Sequence, residues 1–353
     1  MPPADHYQPV YALSRGGHVE SVHAGAIAVV DAGGSLLASL GDADWPIFPR
    51  SSLKPFQALP MLQAGAARAF AFTPAEIALA CASHSGTEMH VQAVARMLEK
   101  IGRTEADLLC GAHPPYHPES AQALLRSGQQ PAALHHNCSG KHSAMLALSL
   151  QQGWDLADYT APQHPSQLAA RQSFARWAAL DPEDLILGVD GCSAANFAAP
   201  LPSTALAYAR LMDPGAMDAE QQRLATTLRA AMQAHPEMVA GPGRFDTLLM
   251  QATEGRILSK GGAEGFQAIG IAAGALASGS PALGLALKIA DGDARGWARR
   301  AVTIEALRQL GALQANELET LAAWGPQRAI RNQAGLEVGQ ARPLFDLERP
   351  SGA

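Results

Sequence analysis

Charge is what this chain has least of. Only 16% of its 353 residues are Asp, Glu, Lys or Arg, while 48% are apolar; an average soluble domain carries roughly 25% charged residues. A surface so poor in charge is small-residued, neutral or covered by a partner, which makes a homo-oligomer an expectation. No run of Lys or Arg exists and the formal net charge is -6. Without a clustered positive face, neither nucleic acid nor an anionic membrane is expected as a partner. Uninterrupted apolar stretches stop well short of the ~18 residues that span a bilayer. The N-terminal MPPADHYQPVYALSRGG lacks the basic-then-apolar pattern of a secretory signal. A soluble, cytoplasmic protein is the expectation. Cys81, Cys110, Cys138 and Cys192 are too few and too scattered for a disulfide framework, form no C-x-x-C pair, and read as reduced thiols. Internal repeats and low-complexity linkers are absent too.

The remaining pattern is one of strands, then helices, then strands. VYALSRG and HAGAIAVVDAGGSLLASLGD read as strands, with Ala32-Gly33-Gly34 as a hairpin turn. From Ser51 to about Glu254 helices dominate. Thr73-Pro74-Ala75-Glu76 is a capping box with proline in the first helical position, and Asp181-Pro182-Glu183-Asp184 repeats the logic. Gly102, Gly128 and Gly153 act as stops, and one interior strand, LILGV, runs into the loop Asp190-Gly191-Cys192-Ser193. RILSKGG, EGFQAIGIAAG and PALGLALKIADG then have the lengths of buried strands, before a last helix over ARGWARRAVTIEALRQLG. The expected class is α+β within one domain, residues 1–353. Residues 1–50 and 255–353 would form a sheet-containing lobe around an inserted, mainly helical lobe, 51–254, with the active cleft between them.

Several short segments could carry chemistry. In Arg50-Ser51-Ser52-Leu53-Lys54-Pro55, a serine at the N-cap would put Lys54 in the first turn. There Ser51 and Lys54 share a face, and the helix dipole disfavours a second positive charge. A neutral lysine beside a serine is a base beside a nucleophile; the plainer reading is a capped helix with a solvated lysine. CASHSGTEMH places Ser83, His84 and Ser85 in a corner before a helix capped by Thr87, where a hydroxyl can be exposed or simply fill a turn. HHNCSGKHSAML brings Cys138, Lys141 and His142 to a helix N-terminus, which favours thiolate, and VDGCSAANF puts Cys192 in a loop after a strand. Cysteine is also a common small core residue, and the spacing fits no zinc-finger template. Lys260, in SKGGAEG, is either an edge-strand lysine reaching solvent or a site residue.

Taken in order, PRSSLKP, CASHSGT, HHNCSGKHSAML, VDGCSAANF, SKGGAEG and GLALKIADGD resemble the asparaginase II family, the thermolabile, rhizobial-type L-asparaginases with a Ser/Lys active site. The similarity runs from VYALSRGGHVES to KIADGDARGWARRA. It implies a fold like that of serine β-lactamases and glutaminases, a homodimer, and L-asparagine as substrate. It implies two Ser/Lys pairs, Ser51 with Lys54 and Ser83 with Lys260. A zinc ion held by Cys138, Lys141, Cys192 and a water is implied as well. Asp190 is then a candidate to orient the Lys141 amine, His142 to support the metal site, and Arg50 to bind a substrate carboxylate. The expected reaction is hydrolysis through an acyl-enzyme, with attack by Ser51. Alternatives are a glutaminase, another serine amidohydrolase, or a non-catalytic amino-acid or zinc-binding protein on the same scaffold.

Overall fold

The structure is a computed structural model and describes residues 6–350. Its strands are β1 (Gln8–Arg15), β2 (His18–Asp31), β3 (Leu36–Leu40), β4 (Ile186–Val189), β5 (Ala195–Ala198), β6 (Ile257–Gly261), β7 (Phe266–Ile271), β8 (Leu283–Ile289), β9 (Arg328–Arg331) and β10 (Glu337–Pro343). The helices are α1 (Lys54–Gln63), α2 (Ala66–Ala69), α3 (Pro74–Ala80), α4 (Glu88–Lys100), α5 (Pro118–Arg126), α6 (Ser139–Gln152), α7 (Pro165–Ala178), α8 (Leu201–Met212), α9 (Ala219–Ala234), α10 (Pro236–Val239), α11 (Phe245–Ala252), α12 (Trp297–Gln309) and α13 (Ala315–Thr320). Mixed helix and antiparallel sheet make the chain α+β. The chain divides into two compact units: Met1–Arg50, Ala199–Ala216 and Leu248–Ala353 in one, Ser51–Ala198 and Met217–Thr247 in the other.

The first unit is built on a sheet of order β6-β7-β8-β2-β1-β10-β9, with β3 paired to β2. Each neighbouring pair is antiparallel. The β2–β3 turn falls where Ala-Gly-Gly predicts it, and the Asp31 carboxylate closes it by accepting from the amides of Gly33 and Ser35. Helix α8 packs on β8, β7 and β2. Contact there is so close that a Cβ at Gly284 would stand 1.7 Å from the Ala205 carbonyl oxygen, which leaves glycine as the only residue that fits. The stretch 199–216, expected within the helical lobe, therefore joins the sheet unit. Its sequence LPSTALAYARLM is apolar nearly all round and is buried on most of its surface. The C-terminal hairpin β9–β10, which the sequence reading did not include, pairs with β1 in the register Tyr11↔Pro343 to Arg15↔Gly339.

The second unit is helical around α1, whose residues Lys54 to Met61 are all buried. Helix α1 packs against α7, α6 and α9, and α3 lies against α9 and α6. Phe56 anchors the first contact, its ring 5.9 Å from Phe174 and 6.2 Å from Trp177. The predicted capping box at the start of α3 is present, Thr73 and Glu76 exchanging hydrogen bonds. The Asp181 motif makes only a single 3-10 turn, Pro182–Asp184, with Asp181 accepting from the Glu183 amide. The predicted strand LILGV is β4, and it folds back on β5 as a two-stranded hairpin that carries the Asp190–Ser193 loop at its tip.

Candidate active site

Lys54 opens α1, followed by Pro55, but no serine caps the helix. Residues Arg50–Leu53 form a 3-10 turn that runs straight into it, with Leu53 at the cap position. A side-chain cap needs extended backbone, and Leu53 sits at φ -75°, ψ -16°. Ser51 and Ser52 are thus in the turn just before Lys54, Ser51 partly exposed and Ser52 buried. Arg50, which belongs to the sheet unit, takes φ 54°, a left-handed conformation that costs a non-glycine residue of order 1 kcal/mol or more.

The Lys54 side chain is fully buried. Its Nζ lies 2.5 Å from the Ala82 carbonyl oxygen, 2.9 Å from Ser83 Oγ and 3.5 Å from the Asn137 carbonyl oxygen. Two of these partners can only accept, so they orient two N–H groups. The third direction faces a hydroxyl that can accept from an ammonium or donate to the lone pair of a neutral amine. Ser83 follows the end of α3, its amide donating to the Val239 carbonyl, and the next amide, of His84, donates to the same Asn137 carbonyl that Lys54 approaches. The SxxK and ASHSGT segments therefore meet, within the helical unit, through one lysine.

His84 in the second segment is structural. Its Nδ1 accepts from the Gly86 amide, so Nε2 carries the proton and donates to Ser139 Oγ, which donates to the Leu134 carbonyl. Burial, and then the nearby His90, hold the imidazole well below its ordinary range, so it stays neutral and ties the Ser83–Gly86 loop to the start of α6.

Cys138 occupies the N-cap of α6, as the sequence predicts, and Lys141 and His142 lie in its first turn. A close approach sets this position: a Cβ at Gly140 would stand 2.4 Å from the Leu79 carbonyl oxygen of α3. Lys141 Nζ is 3.1 Å from Cys192 Sγ, across to the β4–β5 loop. Cys138 Sγ donates to Asn137 Oδ1 at 3.2 Å. The proximity of Cys138, with Lys141 and His142 assisting, holds the Cys192 thiol far below its ordinary value despite burial, and Cys192 in turn pushes Cys138 up. Burial alone would depress the Lys141 ammonium, but Cys192, Cys138 and Asp190 outweigh it and hold the group above its ordinary value. Asp190 is partly buried and accepts from the Gly191 amide, and its charge favours the Lys141 ammonium. Ser193, after Cys192, takes φ 69°.

Does this set fit zinc? Among the described residues, no three His, Cys, Asp or Glu side chains are grouped to hold a metal ion, so zinc here requires the Lys141 amine as a third protein donor. The donor chemistry suits it: two buried thiols, one held far below its ordinary value, and an amine 3.1 Å from that one, close to the roughly 3.5 Å between N and S ligands of a tetrahedral zinc. His142 adds a second mark. Its Nδ1 is 2.8 Å from the Tyr159 hydroxyl, which accepts from the Leu109 amide. Its Nε2 is buried and meets no partner at hydrogen-bonding geometry, although the ring lies close enough to Cys192 for each to shift the other's protonation. Tyr159, Ala82 and Asn137 escape the sequence reading. Two of them act through backbone carbonyls, and Tyr159 sits in a stretch with no motif.

Lys260 does not reach solvent: it is 1% exposed on β6, with Nζ donating to the Gly261 carbonyl at 2.8 Å. It belongs, like Arg50, to the sheet unit. The model of the L-asparaginase II family matches residues 11–343. No curated protein matches the chain.

Proposed function

The chain belongs to the L-asparaginase II family, and from that premise we propose that it hydrolyses L-asparagine to L-aspartate and ammonia through an acyl-enzyme. The observation that carries this reading is the buried contact of Lys54 Nζ with Ser83 Oγ, 2.9 Å, on an amine whose other partners are carbonyl oxygens. One amine then serves two hydroxyls. Ser51, in the turn before it, attacks the side-chain amide carbon and gives up its proton to Lys54. Ser83 relays that proton from Lys54 to the nitrogen as the C–N bond breaks and ammonia leaves. Water cleaves the resulting ester by the reverse proton path. Lys260 is the second amine of the reading, and Arg50 a carboxylate contact. The direct Lys54–Ser83 contact also favours a second assignment, with Ser83 as the nucleophile.

Cys138, Lys141 and Cys192 would hold one zinc ion, with His142 and Asp190 supporting them. Bound there, zinc supplies a Lewis acid that holds and polarises a substrate oxygen, so its loss weakens affinity more than it slows the chemistry. A cytoplasmic homodimer and a sheet lobe related to that of serine β-lactamases complete the proposal. Purified protein incubated with L-asparagine, and separately with L-glutamine, is assayed for ammonia, and Ser51→Ala and Ser83→Ala are compared. Acid-quenched wild type carries the acyl group on the peptide with Ser51, or on that with Ser83 under the second assignment. Full turnover by both variants, or no ammonia from asparagine, overturns the reading.

A further inference from the structure

Arg244 is a partly buried cation in the helical unit, and its side chain makes no hydrogen bond or ion pair among the described residues. Its guanidinium lies over the Tyr116 ring, 5.7 Å from the centroid. A partly desolvated cation without an acceptor costs stability unless something anionic completes it.

Two sets of contacts place this pair beside Ser83. On one side, Tyr116 stacks on His113 with centroids 4.6 Å apart. His113 Nε2 accepts from the Asn137 amide at 3.0 Å. Asn137 is the residue whose carbonyl Lys54 approaches, and Tyr116 lies near enough to Cys138 to feel its charge. The amide of His117 donates to the Ser85 carbonyl. On the other side, Gly241 presses on Ser85 so closely that a Cβ there would stand 2.3 Å from Ser85 Oγ, and the Arg244 amide donates to the Gly241 carbonyl at 3.2 Å. Ser83 itself bonds Val239, just before that loop. Both Arg244 and Tyr116 are thus fixed to the 83–85 loop that Lys54 touches.

We infer that Arg244 is the anchor for the α-carboxylate of the amino-acid amide, with Tyr116 as the platform that aims it. This rests on the reading that the substrate is an amino-acid amide. A guanidinium already oriented by an aromatic face offers two parallel N–H groups to a carboxylate, the strongest common recognition of that group. The anchor acts on binding while Lys54 acts on chemistry.

The test uses substrate and residue changes together. L-aspartic acid diamide keeps the side-chain amide and lacks the α-carboxylate. Wild type is expected to bind it about tenfold to a hundredfold more weakly than asparagine, the scale of a lost charge-assisted contact. Arg244→Gln should raise KM for asparagine by a similar factor, leave kcat within about threefold, and remove the preference over the diamide, whereas Arg244→Lys keeps part of it. Tyr116→Phe should behave as wild type and Tyr116→Ala should raise KM. L-Aspartate binding by calorimetry reads the anchor independently of turnover: wild type binds and Arg244→Gln binds weakly or not at all. An Arg244→Gln protein with unchanged KM and unchanged aspartate binding overturns the inference, as does wild type that turns over asparagine without binding aspartate or preferring asparagine to the diamide. Aspartate binding without any ammonia release instead upholds the anchor and overturns the reaction.

Discussion

Replacing Gly140 with alanine should damage the site without touching any reacting group. The new Cβ would stand 2.4 Å from the Leu79 carbonyl oxygen and 2.7 Å from Leu79 Cγ. Ordinary contact begins near 3.4 Å, so α6 and α3 must separate by about 1 Å. Neither obstacle is the loose end of a flexible side chain. Overpacking of this kind costs up to about 3 kcal/mol. Alanine returns about 1 kcal/mol of helix propensity, which leaves a net loss of about 2 kcal/mol and, for a chain of this length, a fall in Tm of roughly 3 °C. The displacement acts where it matters, because Lys54 is held by carbonyls at both sides of the gap, Ala82 after α3 and Asn137 before α6. A misplacement near 1 Å costs on the order of a hundredfold in rate. Thermal unfolding and ammonia release on the same preparation decide the matter. A Gly140→Ala protein with unchanged or higher Tm and full turnover would refute the packing on which the site geometry depends.

Two further outcomes follow from the buried groups. His84, His90 and His136 are all held neutral by burial and neighbouring charge, His90 lowered to about 4 and His136 to about 3 from an ordinary 6.5. Each therefore gains a proton on unfolding once the pH drops below 6.5. Stability should be full above that value and fall by about 1.4 kcal/mol per pH unit for each histidine until its folded value is reached; urea midpoints that stay flat from pH 7 to 5 would contradict this. Metal analysis should find one zinc per chain, lost in a Cys138→Ala, Cys192→Ala double variant and weakened in Lys141→Met. Stoichiometric zinc in the double variant would rule out these ligands.

What the sequence made legible were features whose cause is local. The β2–β3 hairpin shows itself through apolar runs around Ala-Gly-Gly, the start of α3 through its capping box, and the metal candidates through a helix N-terminus and a strand end. Features fixed by distant partners stayed hidden. The β9 strand RAIR is short and half exposed, and β10 exists because β1, more than 300 residues earlier, offers it an edge. Helix α8 reads as one more helix of the middle segment, and only its burial on β8 assigns it to the sheet unit. The 3-10 turn before Lys54 replaced an expected serine cap because cap preference cannot register that Leu53 is already helical. Lys260 left two readings open, solvated or buried, and packing alone excluded the first.

In the proposed reaction the Lys54 amine moves the proton of a serine hydroxyl. Ammonia release by Lys54→Met, whose side chain fills much of the same buried space without a basic nitrogen, measures this directly. The variant should be folded by near-UV circular dichroism, with kcat for L-asparagine lowered by about a thousandfold, within the range of lost acid–base catalysis. A folded Lys54→Met protein that releases ammonia within about tenfold of wild type, a smaller loss than any acid–base role allows, would contradict it.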